Sequence, residues 1–529
     1  MGQMVRPKNI LFIMADQLRY DYLGCTGHQT IKTPNIDVLA ERGVNFTRTY
    51  CQAAVCGPSR MSFYTGRYMF SHGGTYNNIP VRVDERTMGD HLRPLGYRVG
   101  LVGKTHFQRD AAGMEKLGLS PEGDLGLLVS QCGFEPWERD DGLHPDQSAD
   151  PDLAYNCFLH EQGYKGGDNP WHTVANSAEG PNGEILSGWE MRHVGLPARV
   201  SREHSETAYM TNIAMERIVE LGDEPWCMHL SYIKPHWPYM APHPYNAMYG
   251  SNMVQSANRN EQELENRHPV VDAFGQHEES LNFSRDECRK TVIPTYMGLI
   301  TELDDHIGRL MNFLEERGNL ENTIIVLTSD HGDYLGDHWL GEKELFYEEV
   351  ARIPLIVVDP SPAANGTRGA KDDRFVESID LIPTFMELAG CEELPDHWLE
   401  GRSVAPLLHG EKDVEWRDAV FCECDYAIRH ARNTLNLGPE DCRSYMVRNE
   451  RWKFVLYEGF RPQLFDLEND PGELNDLGDT AEYVAVRREM SDRLFEWMRK
   501  RKLRTSLSNV DIAKRTGSAK ERGYLFGVW

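Results

Sequence analysis

A cysteine heads the run Cys56-Gly57-Pro58-Ser59-Arg60, within residues 54–66. Pro58 suits the first position of a helix, which sets Cys56 just before a helix N-terminus. Free N–H groups and the helix dipole favour an anion there, and Arg60 can reach an oxyanion from the first turn. Four other places offer reactive or metal-binding groups, each trailing an apolar run of strand length. Asp16 and Gln17 follow the first run, and Lys104 and His106 the second. Lys234 and His236 follow the third, and Asp330, His331 and Asp333 the fourth. In an open parallel sheet, ligands bind beyond the carboxyl ends of the strands, so these groups should converge on one edge. Any one of them alone reads as a cap or turn residue. Together they read as a site for an anion, a metal or both.

The runs themselves are Asn9–Ala15, 97–102, Trp226–Tyr232 and Thr323–Ser329, with 354–358 as a fifth. Continuous apolar runs of this length fit strands covered on both faces. Between them lie helical patterns at 208–221 and 296–317, and a helix over 34–42 with Thr33 as cap, Pro34 in first position and Gly43 at its close. The alternation predicts an α/β domain over residues 1–408, a large mostly parallel sheet sandwiched by helices. Segments 107–205 and 243–291 are rich in Gly, Pro, Asp, Asn and Glu, and read as lids or inserted substructures. Short strands at 445–448, 452–457 and 463–466, then an amphipathic helix over 480–499, predict a smaller α+β domain over 409–504.

The 529 residues include 82 acidic and 56 basic ones, a formal net charge of −26, and 40% are hydrophobic. That excludes disorder or a disulfide mini-scaffold as the overall description, and an acidic body repels nucleic acid. Eleven scattered cysteines, an odd number, fit reduced thiols in a cytoplasmic protein; Cys422 and Cys424 read as buried thiols. No apolar run approaches the roughly 20 residues of a membrane span, and Arg6 stands where an acylation motif needs Ser or Thr. Residues 499–529 reverse the balance, with nine basic residues against two acidic, and finish in the apolar stretch 524–529. A basic arm (505–529) with a hydrophobic tip should dock on protein, which suggests a homo-oligomer.

The string Cys56-Gly57-Pro58-Ser59-Arg60, followed by Thr65-Gly66, resembles the signature of type I sulfatases in the alkaline phosphatase superfamily. Residues 96–106, ending Lys104-Thr105-His106, resemble the family's second signature. Lys234-Pro235-His236 is similar to its histidine segment, Thr328 to Asp333 to its later metal segment, and Lys343 to its active-site lysine. Residues 457–477 also look like the sulfatase C-terminal domain. The resemblance implies an alkaline phosphatase-like fold and oxidation of Cys56 to formylglycine by a maturation enzyme. It further implies one divalent metal near residue 56, held by Asp16, Asp330, His331 and Gln17. Arg60 and Lys104 would stabilise the nucleophile and metal end. His236 and Lys343 would hold the substrate oxygens, one of them protonating the leaving oxygen, and His106 would release the product.

Two positions depart from the common sulfatase pattern: Gln17 where many have Asp, and His331 where many have Asn. Both resemble the phosphonate monoester hydrolase and phosphodiesterase branch, as does Asn77 as a substrate contact. An imidazole ligand favours manganese over calcium. Trp237 and His243 should line the pocket, and Asp333, Asp337 and His338 should act from behind the ligands or in turns. The expected activity is hydrolysis of small anionic sulfate monoesters, arylsulfatase-like and promiscuous toward phosphonate monoesters and phosphate diesters. The alternatives are a primary phosphonate monoester hydrolase, or a non-catalytic anion-binding protein with unmodified Cys56.

Overall fold

The structure is a computed structural model that describes residues 9–144 and 152–523. Nine strands form the main sheet: β1 (Asn9–Ala15), β2 (Val44–Tyr50), β3 (Arg98–Gly103), β4 (Glu135–Arg139), β5 (Trp226–Tyr232), β6 (Thr323–Ser329), β7 (Arg352–Ile353), β8 (Leu355–Val358) and β9 (Ala370–Glu377). Their order is β9-β2-β8-β6-β1-β5-β3-β4, with β7 paired to β2. Pairings through β6, β1, β5, β3 and β4 are parallel, as is β2 with β9, whereas β8 runs antiparallel to both neighbours.

Side-chain alternation along β1 explains the sandwich. Ile10, Phe12 and Met14 pack with Phe63 and Tyr64 of α2 (Cys56–Thr65) and Phe385 of α5 (Leu381–Leu388). Leu11, Ile13 and Ala15 pack on the opposite face with α1 (Pro34–Arg42), α3 (Glu206–Leu221) and α4 (Asp286–Glu316). With residues 10–15 apolar on both sides, such a strand must be covered twice.

Several sequence expectations need correction. The α1 entry has Pro34 in its first turn, but Thr33 makes no side-chain cap; its hydroxyl bonds Asp37 Oδ1 at 3.2 Å. Gly43 ends α1 in extended backbone, and its need for glycine is close approach: a Cβ there would meet the Val357 carbonyl at 2.2 Å. β4 lies inside the 107–205 segment yet forms one edge of the main sheet, and α4 starts five residues before the 243–291 segment was expected to end. The 107–205 segment also holds a ribbon of Ser177–Glu179 and Ile185–Ser187.

Beyond the main sheet, β10 (Ala419–Asp425), β11 (Arg443–Asn449), β12 (Trp452–Tyr457) and β13 (Gln463–Asp466) form an antiparallel meander. Helix α6 (Val484–Arg499) covers one face of it through Met490 and Leu494. On the other face Cys422, Met446 and Val455 join the core of the large sheet. All eleven cysteines are free, and Cys422 and Cys424 are buried. The apolar tip at 524–529 lies outside the described residues. Among the described residues, no helix is long and apolar enough to cross a membrane.

Candidate active site

β3, β5, β1 and β6 are adjacent and parallel, with Gly103 opposite Ser231, and Ala15 opposite both Tyr232 and Ser329. Their carboxyl ends are therefore level, and Lys104, Asp16 and Asp330 emerge side by side. Gly103, at φ 107°, permits this: a Cβ would meet the Ser231 carbonyl at 2.0 Å.

Cys56 is the first residue of α2, so Pro58 is the third helical residue and not the first. The first-turn N–H groups lack helical partners in any case, so proline is tolerated there too. Asn77 serves this turn: its Oδ1 accepts from the Gly57 N–H at 2.7 Å, an anchoring contact that the sequence reading assigned to substrate. Ser59 Oγ donates to the Asp330 carbonyl at 2.6 Å and ties α2 to the end of β6.

The Cys56 thiol is fully buried, 3.1 Å from His331 Nε2, 3.2 Å from Lys343 Nζ, 3.6 Å from Asp16 Oδ1 and 3.8 Å from Lys104 Nζ. Burial pushes its pKa up, but the charges of Lys104, Lys343 and His331 outweigh this and hold it well below the ordinary thiol value. Arg60, also fully buried, bridges the carboxylates: Nε to Asp330 at 2.9 Å and Nη2 to Asp16 at 3.2 Å. Its Nη1 is held by the Lys104 carbonyl at 2.9 Å and Ser231 Oγ at 2.7 Å. Lys104 Nζ adds a 2.5 Å ion pair to Asp16.

Asp16, Cys56, Asp330 and His331 each present one donor atom, all within 4.8 Å of one another and all buried. The donor set fits a divalent cation. Two carboxylates facing each other out of water repel, and a cation between them relieves that repulsion. His331 Nδ1 lies 2.8 Å from the Gly332 carbonyl, so this nitrogen carries a proton and Nε2 is aimed at the cluster. Burial lowers the pKa of His331, but the Asp330 and Cys56 charges raise it to about 9. Gln17 sits beside this cluster. Its Oε1 accepts from Lys343 Nζ at 3.2 Å, and its Nε2 donates to Asp333 at 2.5 Å.

His236 and Lys343 also meet, Nε2 to Nζ, at 3.0 Å. Burial and the Lys343 charge push His236 down to about 3. His106 is placed by Asp141, which accepts from its backbone N–H at 2.9 Å; its Nδ1 is buried without a hydrogen-bond partner among the described residues. Lys234 points away, donating to Asn176 at 3.0 Å and to the Pro238 carbonyl at 2.7 Å. His243 is exposed and does not line the cleft, whereas Trp237 does. Asp337 pairs with Arg19 and His338 with Glu263, both away from Cys56. Sequence reasoning missed Ser231, Tyr239 and Asp141. Tyr239 donates to Asp333 at 2.6 Å, and its only signal was its position just past His236.

Comparison with known proteins agrees with this geometry. The sulfatase family pattern matches residues 8–391, and that of the N-sulphoglucosamine sulphohydrolase C-terminal region matches 336–500. The chain is 30% identical over 520 residues to the multifunctional alkaline phosphatase superfamily protein PehA of Trinickia caryophylli, covering 93% of this chain and 95% of that one. It is 28% identical over 504 residues to an arylsulfatase of Clostridium perfringens, covering 90% and 91%. Among solved structures, the phosphonate monoester hydrolase of Agrobacterium radiobacter superposes with a TM-score of 0.79 at 28% identity, over 94% of this chain and 96% of that one. With the family pattern spanning the whole main sheet and every residue around Cys56, the chain belongs to the sulfatase family, as a sulfuric ester hydrolase of the alkaline phosphatase superfamily.

Proposed function

We propose that this enzyme hydrolyses sulfate monoesters in the manner of an arylsulfatase, with secondary turnover of phosphonate monoesters and phosphate diesters. One observation carries the reading: a fully buried Cys56 side chain at a helix N-terminus, ringed by Lys104, Lys343, Asp16 and His331. A separate maturation enzyme oxidises Cys56 to formylglycine, with loss of the sulfur, and residue 56 supplies the nucleophile. Asp16, Asp330, His331 and residue 56 would hold one divalent cation, which would supply Lewis acidity. Mixed carboxylate and imidazole donors suit manganese first and calcium second.

The chain's own residues do the remaining work. Arg60 and Lys104 fix the carboxylates and keep positive charge beside residue 56. Lys343 and His236 neutralise the ester oxygens, and a proton held at Lys343 Nζ serves the leaving oxygen. His106 takes the proton whose removal releases the product. Gln17, with its oxygen toward Lys343, orients that ammonium as well as bordering the metal. Asn77 holds the turn on which residue 56 sits.

A second reading, in which phosphonate monoesters are the primary substrates, is supported by Gln17, His331 and the phosphonate monoester hydrolase neighbours. The mass of the peptide containing residue 56, from protein made with the maturation enzyme, tests the nucleophile. An unmodified thiol in every preparation removes it. Comparing kcat/KM for an aryl sulfate and an aryl phosphonate on that protein then ranks the two readings.

Free cysteines support a cytoplasmic setting. The residues leading into the arm lie on the chain's own body, with Arg501 pairing Glu423 at 2.8 Å and the Lys502 N–H donating to Glu400 at 3.2 Å. Leu503 and Val510 then stand 85% and 60% exposed, apolar groups suited to the neighbour in a homo-oligomer. The catalytic unit is residues 1–408, followed by the small domain at 409–504 and the arm.

A further inference from the structure

Beside the buried centre lies a cleft of about 960 Å³. It touches the centre through Trp237 and Glu342, the chain neighbours of His236 and Lys343. Its other walls come from residues 188–192, from residues 278–291 and from Arg429. The leaving alcohol of a substrate has this space to occupy.

Aromatic faces form the end nearest the centre. The Trp237 and Trp189 rings meet edge to face with centroids 5.2 Å apart. Lys343 Nζ lies 5.8 Å from the Trp237 centroid, so this indole already faces one cation. Trp237 Nε1–H donates to Glu342 Oε1 at 3.1 Å, which fixes a carboxylate along the ring edge.

The charge of the cleft is uneven. Glu190, Glu278, Glu279, Glu287 and Glu342 line it, against Arg192, Arg285 and Arg429. Arg192 pairs with Glu190, Arg429 is shared by Glu279, Glu342 and Glu344, and Lys343 Nζ lies 3.5 Å from Glu342 Oε1 at the inner end. Among the described residues, Glu278 and Glu287 have no ion-pair partner, and neither does Arg285, so the unpaired groups are two carboxylates against one guanidinium. The floor has the opposite character, with Arg60, Lys104 and Lys343 converging around residue 56. A second anionic group on the substrate would meet carboxylates in the cleft, whereas a cationic one would meet carboxylates and indole faces.

Building on the sulfuric ester reading, we infer that this cleft selects esters whose leaving alcohol carries an organic ammonium group, held by the Trp237 face and the Glu342 carboxylate. Glu342 and Trp237 are then specificity-determining residues, and the preferred substrate is a zwitterion with sulfate at one end and ammonium at the other.

Three aryl sulfates of closely matched leaving ability test this: the 4-(aminomethyl)-, 4-(hydroxymethyl)- and 4-(carboxymethyl)phenyl esters. On the matured, metal-loaded enzyme, kcat/KM should fall ~10-fold from the ammonium to the neutral ester, and again to the carboxylate ester. Glu342→Gln should reduce the ammonium-to-neutral ratio by ~10-fold, and Trp237→Phe, which keeps a ring face but loses the N–H to Glu342, by ~3-fold. Calorimetric binding of the three free phenols to the same protein should follow the same order without turnover. Ammonium-selective binding with no hydrolysis of any ester would sink the ester-hydrolase reading and uphold the cleft assignment. Hydrolysis of all three esters with equal kcat/KM, and equal affinities for the phenols, would overturn the cleft assignment.

Discussion

Lys343 and His236 meet at 3.0 Å, and their other contacts decide which of them offers a proton. His236 Nδ1 lies 2.7 Å from the Trp237 carbonyl, so Nδ1 carries the ring proton and Nε2 accepts from the Lys343 ammonium. The proton facing the substrate side then belongs to Lys343, and His236 aims it. Lys343→Met removes both donor and charge. Losing a positioned general acid costs ~10²–10⁴-fold, but only where the leaving oxygen needs a proton. A nitrophenolate leaves without one, so its ester should lose only the electrostatic contribution of one cation, ~10²-fold. Unactivated phenyl and alkyl esters should lose a further ~10²-fold or more, which steepens the dependence of kcat/KM on leaving-group basicity. His236→Ala leaves the ammonium its second acceptor, Gln17 Oε1 at 3.2 Å, so the whole series should drop together by ~10-fold with its slope little changed. Steady-state kcat/KM over a series of substituted phenyl and alkyl sulfates, for wild type and both variants, is the assay. A steeper slope for His236→Ala than for Lys343→Met would refute this assignment of the proton. Parallel lines in both variants would deny general-acid catalysis to the pair altogether.

Chelation should abolish activity, with manganese restoring more than calcium, and His331→Asn should shift the preference toward calcium; metal analysis showing calcium in both proteins would count against an imidazole ligand. Burial raises the Glu302 carboxyl from 4.5 to about 7. An acid raised by folding contributes stability below its unfolded pKa that is lost as pH climbs through the folded one. Glu302→Gln should therefore gain on wild type by on the order of 3 kcal/mol between pH 4.5 and 8, read from denaturant midpoints at each pH, and a difference that stays constant with pH would show that burial does not raise this carboxyl. Truncation after Thr505 should lower the mass in solution, and an unchanged oligomer with unchanged activity rules out the arm as an interface.

How much of this was legible depended on burial. β1, β5 and β6 read directly because each is buried along its whole length, mostly apolar, with sheet neighbours on both sides. β2 did not, because Asn45, Thr47, Arg48 and Thr49 interrupt its apolar residues, and β9 carries Lys371, Asp372, Asp373 and Arg374 along one stretch. The groups trailing the strands were legible for a topological reason: adjacent parallel strands must deliver them to one edge. Asp333, Tyr239, Ser231 and Asp141 act through contacts that no local pattern encodes. Asp333 reaches Gln17 across 316 positions of chain, and Asp141 anchors His106 across 35. Asn77 was noticed for its neighbourhood, but not for the bond its Oδ1 makes to the helix start, because an orphan N–H of a first helical turn leaves no mark in the local pattern.

Gln17 and His331, the two departures from the common sulfatase pattern, make sense as one change. Gln17 Nε2 and the Tyr239 hydroxyl both donate to Asp333 Oδ2, at 2.5 and 2.6 Å, in a fully buried place. A carboxylate at position 17 would lose the donor to Asp333 and set two carboxylates near each other in a fully buried place. The neutral carboxamide resolves the conflict, and under the proposed metal assignment it would leave a bound cation with one anionic neighbour fewer. His331 would compensate with a nitrogen that binds transition metals more tightly than an amide oxygen does. Asp16 and Asp330 are balanced by Arg60 and Lys104, so the charge of Lys343 beside residue 56 is left for the incoming anion. Sulfate monoesters and phosphonate monoesters carry the same single charge, so this floor attracts both and separates neither. Discrimination must therefore come from the shape of the transferring group and from the acidic, aromatic cleft that receives the alcohol.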